Sequence, residues 1–356
     1  MAKNKLFLYR FSASEDILKT QKNIKTLFTK AGFDNIIGKH DLTAVKTHFG
    51  ERGVSSYVLP KYIEPIIRKI KACGAKAFLS DTNVLYKSER DNAVDHLNLA
   101  HDHGFTLENT GAPVIIADGI NGINEQKIKI DAPLNQSVNI AQEYLTANSI
   151  VVVTHATGHL GSGFGATIKN LGMGMSSRKG KLTQHSVSHP EILERKCIKC
   201  GTCLKWCPVD AIVMNEDSAF INDDKCIGCG ECVAVCRPDA VKFKWDSGSI
   251  ILQQQIVEHA LGIVKVKKGK MAYFTFLINM TKDCDCIAQK PDFILEDIGV
   301  IAGTDPLAID QAVWDLTAKR GENINKLSYP AIDGEEQLRY GAKIGLGSRD
   351  YEIEEI

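Results

Sequence analysis

Cys197-Ile-Lys-Cys200-Gly-Thr-Cys203-Leu-Lys-Trp-Cys207-Pro208 recurs 29 residues later as Cys226-Ile-Gly-Cys229-Gly-Glu-Cys232-Val-Ala-Val-Cys236. Each copy is the C-x2-C-x2-C-x3-C run by which bacterial ferredoxins hold a 4Fe-4S cubane. Three thiolates in one tight turn cap three corners of the cube, and the fourth ligand comes from the other copy. The spacing therefore predicts one cluster on Cys197, Cys200, Cys203 and Cys236, and a second on Cys226, Cys229, Cys232 and Cys207. Arg237 separates Cys236 from Pro238, where the first copy has Pro208 directly after its last cysteine. That departure moves a turn and adds positive charge without removing a ligand. Disulfides and paired zinc sites are the competing uses of such cysteines. Two matching four-cysteine runs without a ligand histidine argue against both.

Outward from this stretch the pattern changes to alternating apolar runs and amphipathic segments. Leu6 to Phe11 reads as a buried strand and Ser14 to Gly32 as a helix capped by Ser12 or Ser14 and stopped at Gly32. Strands are predicted at Thr43 to Gly50, Lys76 to Asp81, Pro113 to Ala117 and Ser149 to Val153, with helices from Pro60 to Gly74 and from Asp91 to Gly104. Lys127-Ile-Lys-Ile-Asp131 alternates as a hairpin strand does. Beyond the cysteines come a helix over Ile250 to Val264, strands at Ala272 to Ile278 and Gly299 to Ala302, and a helix opening at Asp305-Pro306. The predicted fold is α/β: a mostly parallel sheet with flanking helices, carrying an inserted small α+β dicluster ferredoxin-like domain. The boundaries read as a discontinuous α/β domain, 1–190 and 247–356, with residues 191–246 inserted.

At 356 residues, with 44% hydrophobic and 24% charged residues, the chain suits about two soluble globular domains. Its formal net charge is zero, so no overall field draws it to nucleic acid or an anionic membrane. The cluster Lys265, Lys267, Lys268 and Lys270 reads as a solvated turn. The N-terminal segment lacks a signal-peptide cleavage site, and the longest later apolar run, Met271 to Met280, is too short to span a bilayer. A cytoplasmic location is expected. Eleven cysteines in a reducing, anaerobic cell suit metal ligation better than disulfides.

Three further features carry chemistry. Six glycines fall between Gly158 and Gly174, and Gly161-Ser-Gly163-Phe-Gly165-Ala166 fits a dinucleotide fingerprint, which makes Gly161, Gly163 and Gly165 candidate cofactor contacts. No acidic residue follows at the required spacing, so a loop approached closely by a cofactor or another segment is the plainer reading. Lys169 and Asn170, just after it, are candidates for an anion or small-molecule substrate. Asp283-Cys284-Asp285-Cys286 places two thiols one residue apart, able to grip a soft metal as a third metal site, to exchange thiols, or to pack as small apolar groups. His48, His155 and His159 lie at or past the ends of predicted parallel strands, where α/β folds bind ligands. With Cys284 and Cys286 they make a candidate mixed nitrogen and sulfur site.

Val45-Lys-Thr-His48-Phe-Gly50-Glu51, His159 with Gly163-Phe-Gly165-Ala-Thr-Ile-Lys169-Asn170-Leu-Gly172-Met-Gly174, both cysteine runs, Thr281-Lys-Asp283-Cys-Asp-Cys286 and Asp305-Pro-Leu-Ala-Ile-Asp310 together resemble the domain-of-unknown-function 362 family, in its forms with an inserted two-cluster ferredoxin segment. The resemblance implies a cytoplasmic iron-sulfur protein of anaerobic bacteria and archaea. It groups His48, His159, Lys169, Cys284 and Cys286 without giving them roles.

The function these features predict is electron transfer: two 4Fe-4S clusters relay single electrons between a partner such as an acidic ferredoxin and a site in the α/β domain. Arg195, Lys196, Lys199, Lys205 and Arg237 would form the docking surface. In the enzyme reading, a ferredoxin-linked oxidoreductase, Cys284, Cys286, His48 and Lys169 are the candidate catalytic residues. The alternatives are a non-catalytic carrier or docking module, and a metal or cluster assembly factor.

Overall fold

The first strand sets the pattern for the whole sheet. In β1 (Asn4–Tyr9), Leu6 and Leu8 are buried in one hydrophobic core while Phe7 and Tyr9 are buried in another. Successive strand side chains point to opposite faces, so a run that is apolar from Leu6 to Tyr9 must be covered on both. The structure, a computed structural model, describes residues 3–185, 190–226, 231–238, 240–243, 249–319 and 321–356, which leaves Cys229 outside the described residues.

The chain continues through α1 (Ile17–Lys30), β2 (Leu42–Lys46), α2 (Pro60–Ala72), β3 (Lys76–Asp81), α3 (Ala93–Asp102), α4 (Leu107–Thr110) and β4 (Val114–Ile116). A hairpin, β5 (Glu125–Lys129) with β6 (Ser137–Ala141), forms where the alternating lysines predicted one. Then come α5 (Gln142–Thr146), β7 (Ser149–His155), the small hairpin β8 (Thr157–His159) and β9 (Gly163–Gly165), α6 (Thr167–Gly172) and α7 (Arg178–His185). The cysteine-rich segment contributes β10 (Pro190–Ile192), α8 (Thr202–Trp206), β11 (Ile212–Met214), β12 (Ala219–Ile221), α9 (Glu231–Val235) and β13 (Val241–Phe243). After it stand α10 (Ser249–Val266), β14 (Met271–Leu277), β15 (Gly299–Gly303), α11 (Pro306–Ala318), α12 (Ile324–Ser328), α13 (Glu336–Lys343) and β16 (Tyr351–Glu355).

Eight strands form the main sheet in the order β16-β1-β15-β14-β7-β2-β3-β4. β15 runs antiparallel to both its neighbours, and every other pairing in this sheet is parallel. One face packs against α6, α10 and α11 through residues such as Ile168, Leu171, Ile256 and Leu307. The other packs against α1 and α2 through Leu27, Phe28, Ile63 and Ile66. From β2 the chain steps outward to β3 and β4, then crosses back to place β7 and β14 on the opposite side of β2. The order thus reverses between β2 and β7. Crevices at the carboxyl ends of strands flanking such a reversal are where open α/β sheets bind ligands.

The two ends of the cysteine-rich segment lie side by side, because β10 pairs antiparallel with β13. Between them, Cys203, Cys232, Ile212, Ala219, Ile221 and Val241 bury a separate small core, against which Cys197, Cys207, Cys226 and Cys236 pack.

Two local readings are corrected. The cap of α1 is Asp16, whose carboxylate accepts from the Lys19 N–H; the Ser12 and Ser14 hydroxyls bond to each other instead. Asp is the stronger acceptor nearest the first turn. In the lysine cluster at the end of α10, Lys265, Lys268 and Lys270 are exposed as that reading expects, and Lys267 departs from it. Lys267 is buried, with its ammonium on the carbonyls of Leu145 and Ala147, and Lys265 donates to Ile130 O at 2.8 Å. These cations satisfy carbonyls at the ends of short elements. Among the described residues, no helix is long and apolar enough to cross a membrane.

Candidate functional site

A cavity of about 1260 Å³ opens at the carboxyl ends of the central parallel strands. Its lining is built by chain direction: Lys46 and Asp81 close β2 and β3, His155 closes β7, and the turn beyond β14 brings Cys284, Asp285 and Cys286. The short helix α6 adds Lys169 and Asn170. That helix is anchored by Asp310 of α11, whose two carboxylate oxygens accept from Thr167 N and Ile168 N, each at 2.8 Å. The 284–286 turn is anchored through Asp285. Its carboxylate accepts from Ser56 Oγ at 2.6 Å and from His155 Nδ1 at 2.9 Å, and its carbonyl accepts from Glu51 N at 3.0 Å.

Buried charges crowd one wall. Lys46 Nζ lies 3.0 Å from Asp81 and donates to Asn170 Oδ1 at 2.8 Å. Arg90 donates to Glu51 at 3.2 Å and to the Tyr86 hydroxyl at 2.5 Å, and its Nη1 stands 3.6 Å from Asp81. Burial alone would raise the Asp81 carboxyl, but Lys46, His48, His96 and Arg90 hold it well below the usual carboxylate range. Lys169 has fewer compensating partners. Burial pushes its amine down to about 8, and it donates to Cys284 Sγ at 3.6 Å.

The three candidate histidines separate by their hydrogen bonds. His48 meets donors on both sides: Gly50 N at 2.9 Å from Nδ1 and the Arg90 guanidinium at 2.9 Å from Nε2. Burial and the Arg90 charge keep it neutral. His155 meets acceptors on both sides, Asp285 at Nδ1 and Ile278 O at Nε2, each at 2.9 Å, so both nitrogens donate. Burial pulls its pKa down, and Asp285 outweighs that and raises it. Neither ring has a lone pair turned to the cavity, which takes His48 and His155 out of the nitrogen and sulfur group read from the sequence. His159 stays in it. One of its ring nitrogens and the sulfurs of Cys284 and Cys286 all lie within 4.8 Å of one another. Burial, Lys169 and His185 keep His159 neutral, the form that binds metals. The sulfurs of Cys284 and Cys286 are bonded to each other.

The glycine-rich stretch is occupied by protein. A side chain at Gly158 would meet Lys282 O and Ser328, one at Gly163 would meet Asn325 Oδ1, and one at Gly161 would meet Leu252. Of the three fingerprint glycines only Gly165 lines the cavity, with the Lys169 side chain against it. The close approach is made by α10, α12 and the 282 segment.

In the cysteine-rich segment, Cys197, Cys200, Cys203 and Cys236 line one small pocket. None of these four, nor Cys207, is in a disulfide. Ala211 N donates to Cys207 Sγ and Ala240 N to Cys236 Sγ, both at 3.2 Å, so the 29-residue repeat recurs in the bonding of its sulfurs. Cys236 and Arg237 also line the large cavity that holds Cys284 and Cys286.

Sequence reasoning missed Asp81, Arg90 and Tyr86, and gave Glu51 no role. Asp81 carried a signal, as an acid closing an apolar strand at its carboxyl end. Arg90 carried none, because its partners outside its own loop are Asp81 at the end of β3 and His48 and Glu51 in the segment after β2.

No curated protein matches the chain. Among solved structures, the lactate racemase apoprotein from Thermoanaerobacterium thermosaccharolyticum aligns at a TM-score of 0.40 and 13% identity, covering 76% of this chain and 50% of that one. A protein from Thermotoga maritima aligns at 0.39 and 10%, covering 74% and 51%. The chain thus spans about half the length of these structures. The profile of the domain of unknown function DUF362 matches residues 43–315, well over half of the sequence, and the chain belongs to that family.

Proposed function

We propose that the protein is an iron-sulfur electron-transfer protein whose cysteine-rich insert, residues 191–246, exchanges single electrons between a partner protein and the cavity at the strand ends. The observation that carries this reading is the shared cavity: Cys236 of the insert and the Cys284–Cys286 pair line the same space. Cys197, Cys200, Cys203 and Cys236 would hold one 4Fe-4S cluster and Cys226, Cys229, Cys232 and Cys207 the other, and bound clusters would supply one-electron transfer. The donor set fits that group: thiols outside disulfides, four of them around one pocket, with backbone N–H groups directed at two sulfurs.

The chain's own groups do the rest. Arg237 sets a positive charge between the insert and the cavity. Lys169 presents an N–H donor 3.6 Å from Cys284 Sγ, placed to give that sulfur a proton as it gains electrons. His155 and Ser56 hold Asp285, and so fix the turn on which both sulfurs ride. Arg195, Lys196, Lys199, Lys205 and Arg237 would offer cationic docking to an acidic ferredoxin, whose electrons would serve a terminal reduction in the cavity.

Protein purified without oxygen should contain about eight irons and eight acid-labile sulfides per chain. Reductive titration should consume about two electrons for the clusters and about two more for the sulfur pair. The second pair should disappear in a C284S/C286S variant that retains its iron. Iron absent or replaced by zinc ends the proposal, and an unchanged titration in the double variant removes the cavity as the terminus.

A further inference from the structure

Cys284, Cys286 and His159 are drawn together in a way that one chemical state cannot exhaust. Their donor atoms cluster within 4.8 Å, yet the two sulfurs are spent on each other. Thiolate, not disulfide sulfur, is the metal ligand. We propose that these three residues form a redox-gated site for a borderline-soft divalent metal ion of the zinc class, closed while the sulfurs are bonded and opened by their reduction.

The gating step balances. The Cys284–Cys286 bond breaks as the pair accepts two electrons, from two turns of a one-electron carrier or from one phosphine, and two protons from water give two thiols. Metal binding then releases those two protons as both sulfurs ligate as thiolates. Two sulfurs and one imidazole select zinc-class ions over magnesium or calcium, which require oxygen ligands.

The third ligand is oriented by its neighbours. Ser162 Oγ lies 2.8 Å from His159 Nδ1 and gives its own proton to Phe164 O at 2.9 Å, so the hydroxyl keeps a lone pair for Nδ1 whenever that nitrogen carries a proton. With the sulfurs bonded, the Ser162 and Gly161 amides donate to Nδ1 at 3.1 and 3.3 Å, so Nδ1 accepts and Nε2 holds the proton. Metal binding at Nε2 would move that proton to Nδ1, where Ser162 Oγ can accept it, the arrangement in which a second partner fixes a ligating histidine. Three protein ligands are one short of a closed tetrahedral zinc site. The fourth position would face the cavity, where a water or substrate atom can enter, so the site has the form of a catalytic rather than a structural one. Lys169 stands beside Cys284 to offset the charge of two thiolates.

This inference extends the far end of the relay but does not depend on it, because a chemical reductant opens the pair without the clusters. The test is equilibrium dialysis of the full-length protein against zinc, without oxygen, before and after treatment with a phosphine that is then removed, with zinc and iron counted per chain. The expected result is about one zinc gained only after reduction. C284S/C286S should gain none in either state, and H159Q should bind at least tenfold more weakly. X-ray absorption of the reduced wild type should show zinc with two sulfur neighbours at about 2.3 Å and a nitrogen near 2.0 Å. Equal zinc in both redox states, zinc retained by the double variant, or a reduced wild type whose zinc lacks sulfur neighbours overturns the proposal. If a variant does not fold, the absorption spectrum of the wild type decides alone. Iron content on the same samples decides the relay and not this site.

Discussion

His155 Nδ1 and Asp285 Oδ2 stand 2.9 Å apart, tying the end of β7 to the turn that carries both sulfurs of the Cys-x-Cys pair. Both side chains are buried, and the other His155 nitrogen is committed to Ile278 O, so the ring is a cation held by one carboxylate. Removing the partner of a buried charge costs more than the pair itself contributes. D285N should therefore lower stability by about 3–5 kcal/mol, read as a shift in urea midpoint at constant slope. Iron content should not change, because Asp285 touches none of the insert cysteines in its hydrogen bonding. A loss under about 1 kcal/mol would mean that the turn is held by its backbone alone.

Lys169 illustrates the reverse balance. Its amine is buried and pushed down to about 8, against about 10.4 in the unfolded chain. A lysine with a lowered folded pKa binds its proton more weakly when folded, so it destabilises the protein fully below pH 8, a cost relieved as pH rises from 8 towards 10.4. K169M keeps the length and removes the charge. At pH 7 it should raise stability by on the order of 1–3 kcal/mol while slowing reduction at the Cys284 sulfur, which loses its nearby proton donor. Thermal unfolding and turnover measured on one preparation check both halves. A destabilised K169M would place the ammonium in a structural role.

Packing separates the glycines by what a methyl group would strike. At Gly158 it would meet a backbone carbonyl, Lys282 O, as well as Ser328. At Gly163 it would meet Asn325, whose amide is itself held by Tyr329 O and Ile332 O, and the backbone there has φ +77°, which alanine resists. G158A and G163A should each cost about 3 kcal/mol or more. At Gly161 and Gly165 the obstacles are the ends of Leu252 and Lys169, which can turn aside, so G161A and G165A should stay within about 1 kcal/mol. Four melting curves decide between this pattern and a uniform response.

What was legible in the sequence follows the range of the forces involved. Ser149 to Val153 and Ala272 to Ile278 announced buried strands because each is apolar at all positions but one, and Asp305-Pro306 announced a helix start through its cap. The Asp305 carboxylate does accept from Leu307 N and Ala308 N. The glycine stretch was legible as a site of close approach but not as to what approaches, since Asn325 lies 162 residues after Gly163. β16 was missed, because Tyr351-Glu-Ile-Glu-Glu355 is half polar at an edge and owes its pairing to β1. At the site, His48, His155 and His159 looked equivalent, each lying near a strand end. Only their partners, Arg90, Asp285 and Ser162, set them apart, and those lie on other loops or, for Ser162, in a turn whose direction the sequence does not reveal.

Acid sensitivity offers a test of burial at two histidines outside the cavity's sulfur group. Burial pushes His96 down to about 3, with Asp81 only partly opposing it, and pushes His259 down to about 4, with its hydrogen bond to Gln255 O partly opposing. In the unfolded chain both titrate near 6.5. Between pH 6.5 and about 4 the unfolded state therefore binds protons that the folded state does not, and stability falls as pH falls, by about 1.4 kcal/mol per unit for each ring. Asp310 and Asp118 run the other way. Burial raises them to about 7 and about 6, so they favour the folded state progressively as pH drops through that range. The net slope of the wild type mixes these opposing terms, and the difference between wild type and H259Q isolates one of them. Glutamine can still donate to Gln255 O but cannot take up a proton, so the wild type should lose about 1.4 kcal/mol per pH unit relative to H259Q from pH 6 to pH 4.5, measured by urea unfolding. Parallel pH curves for the two proteins would show that His259 charges freely in the folded state, which its burial on α10 should forbid.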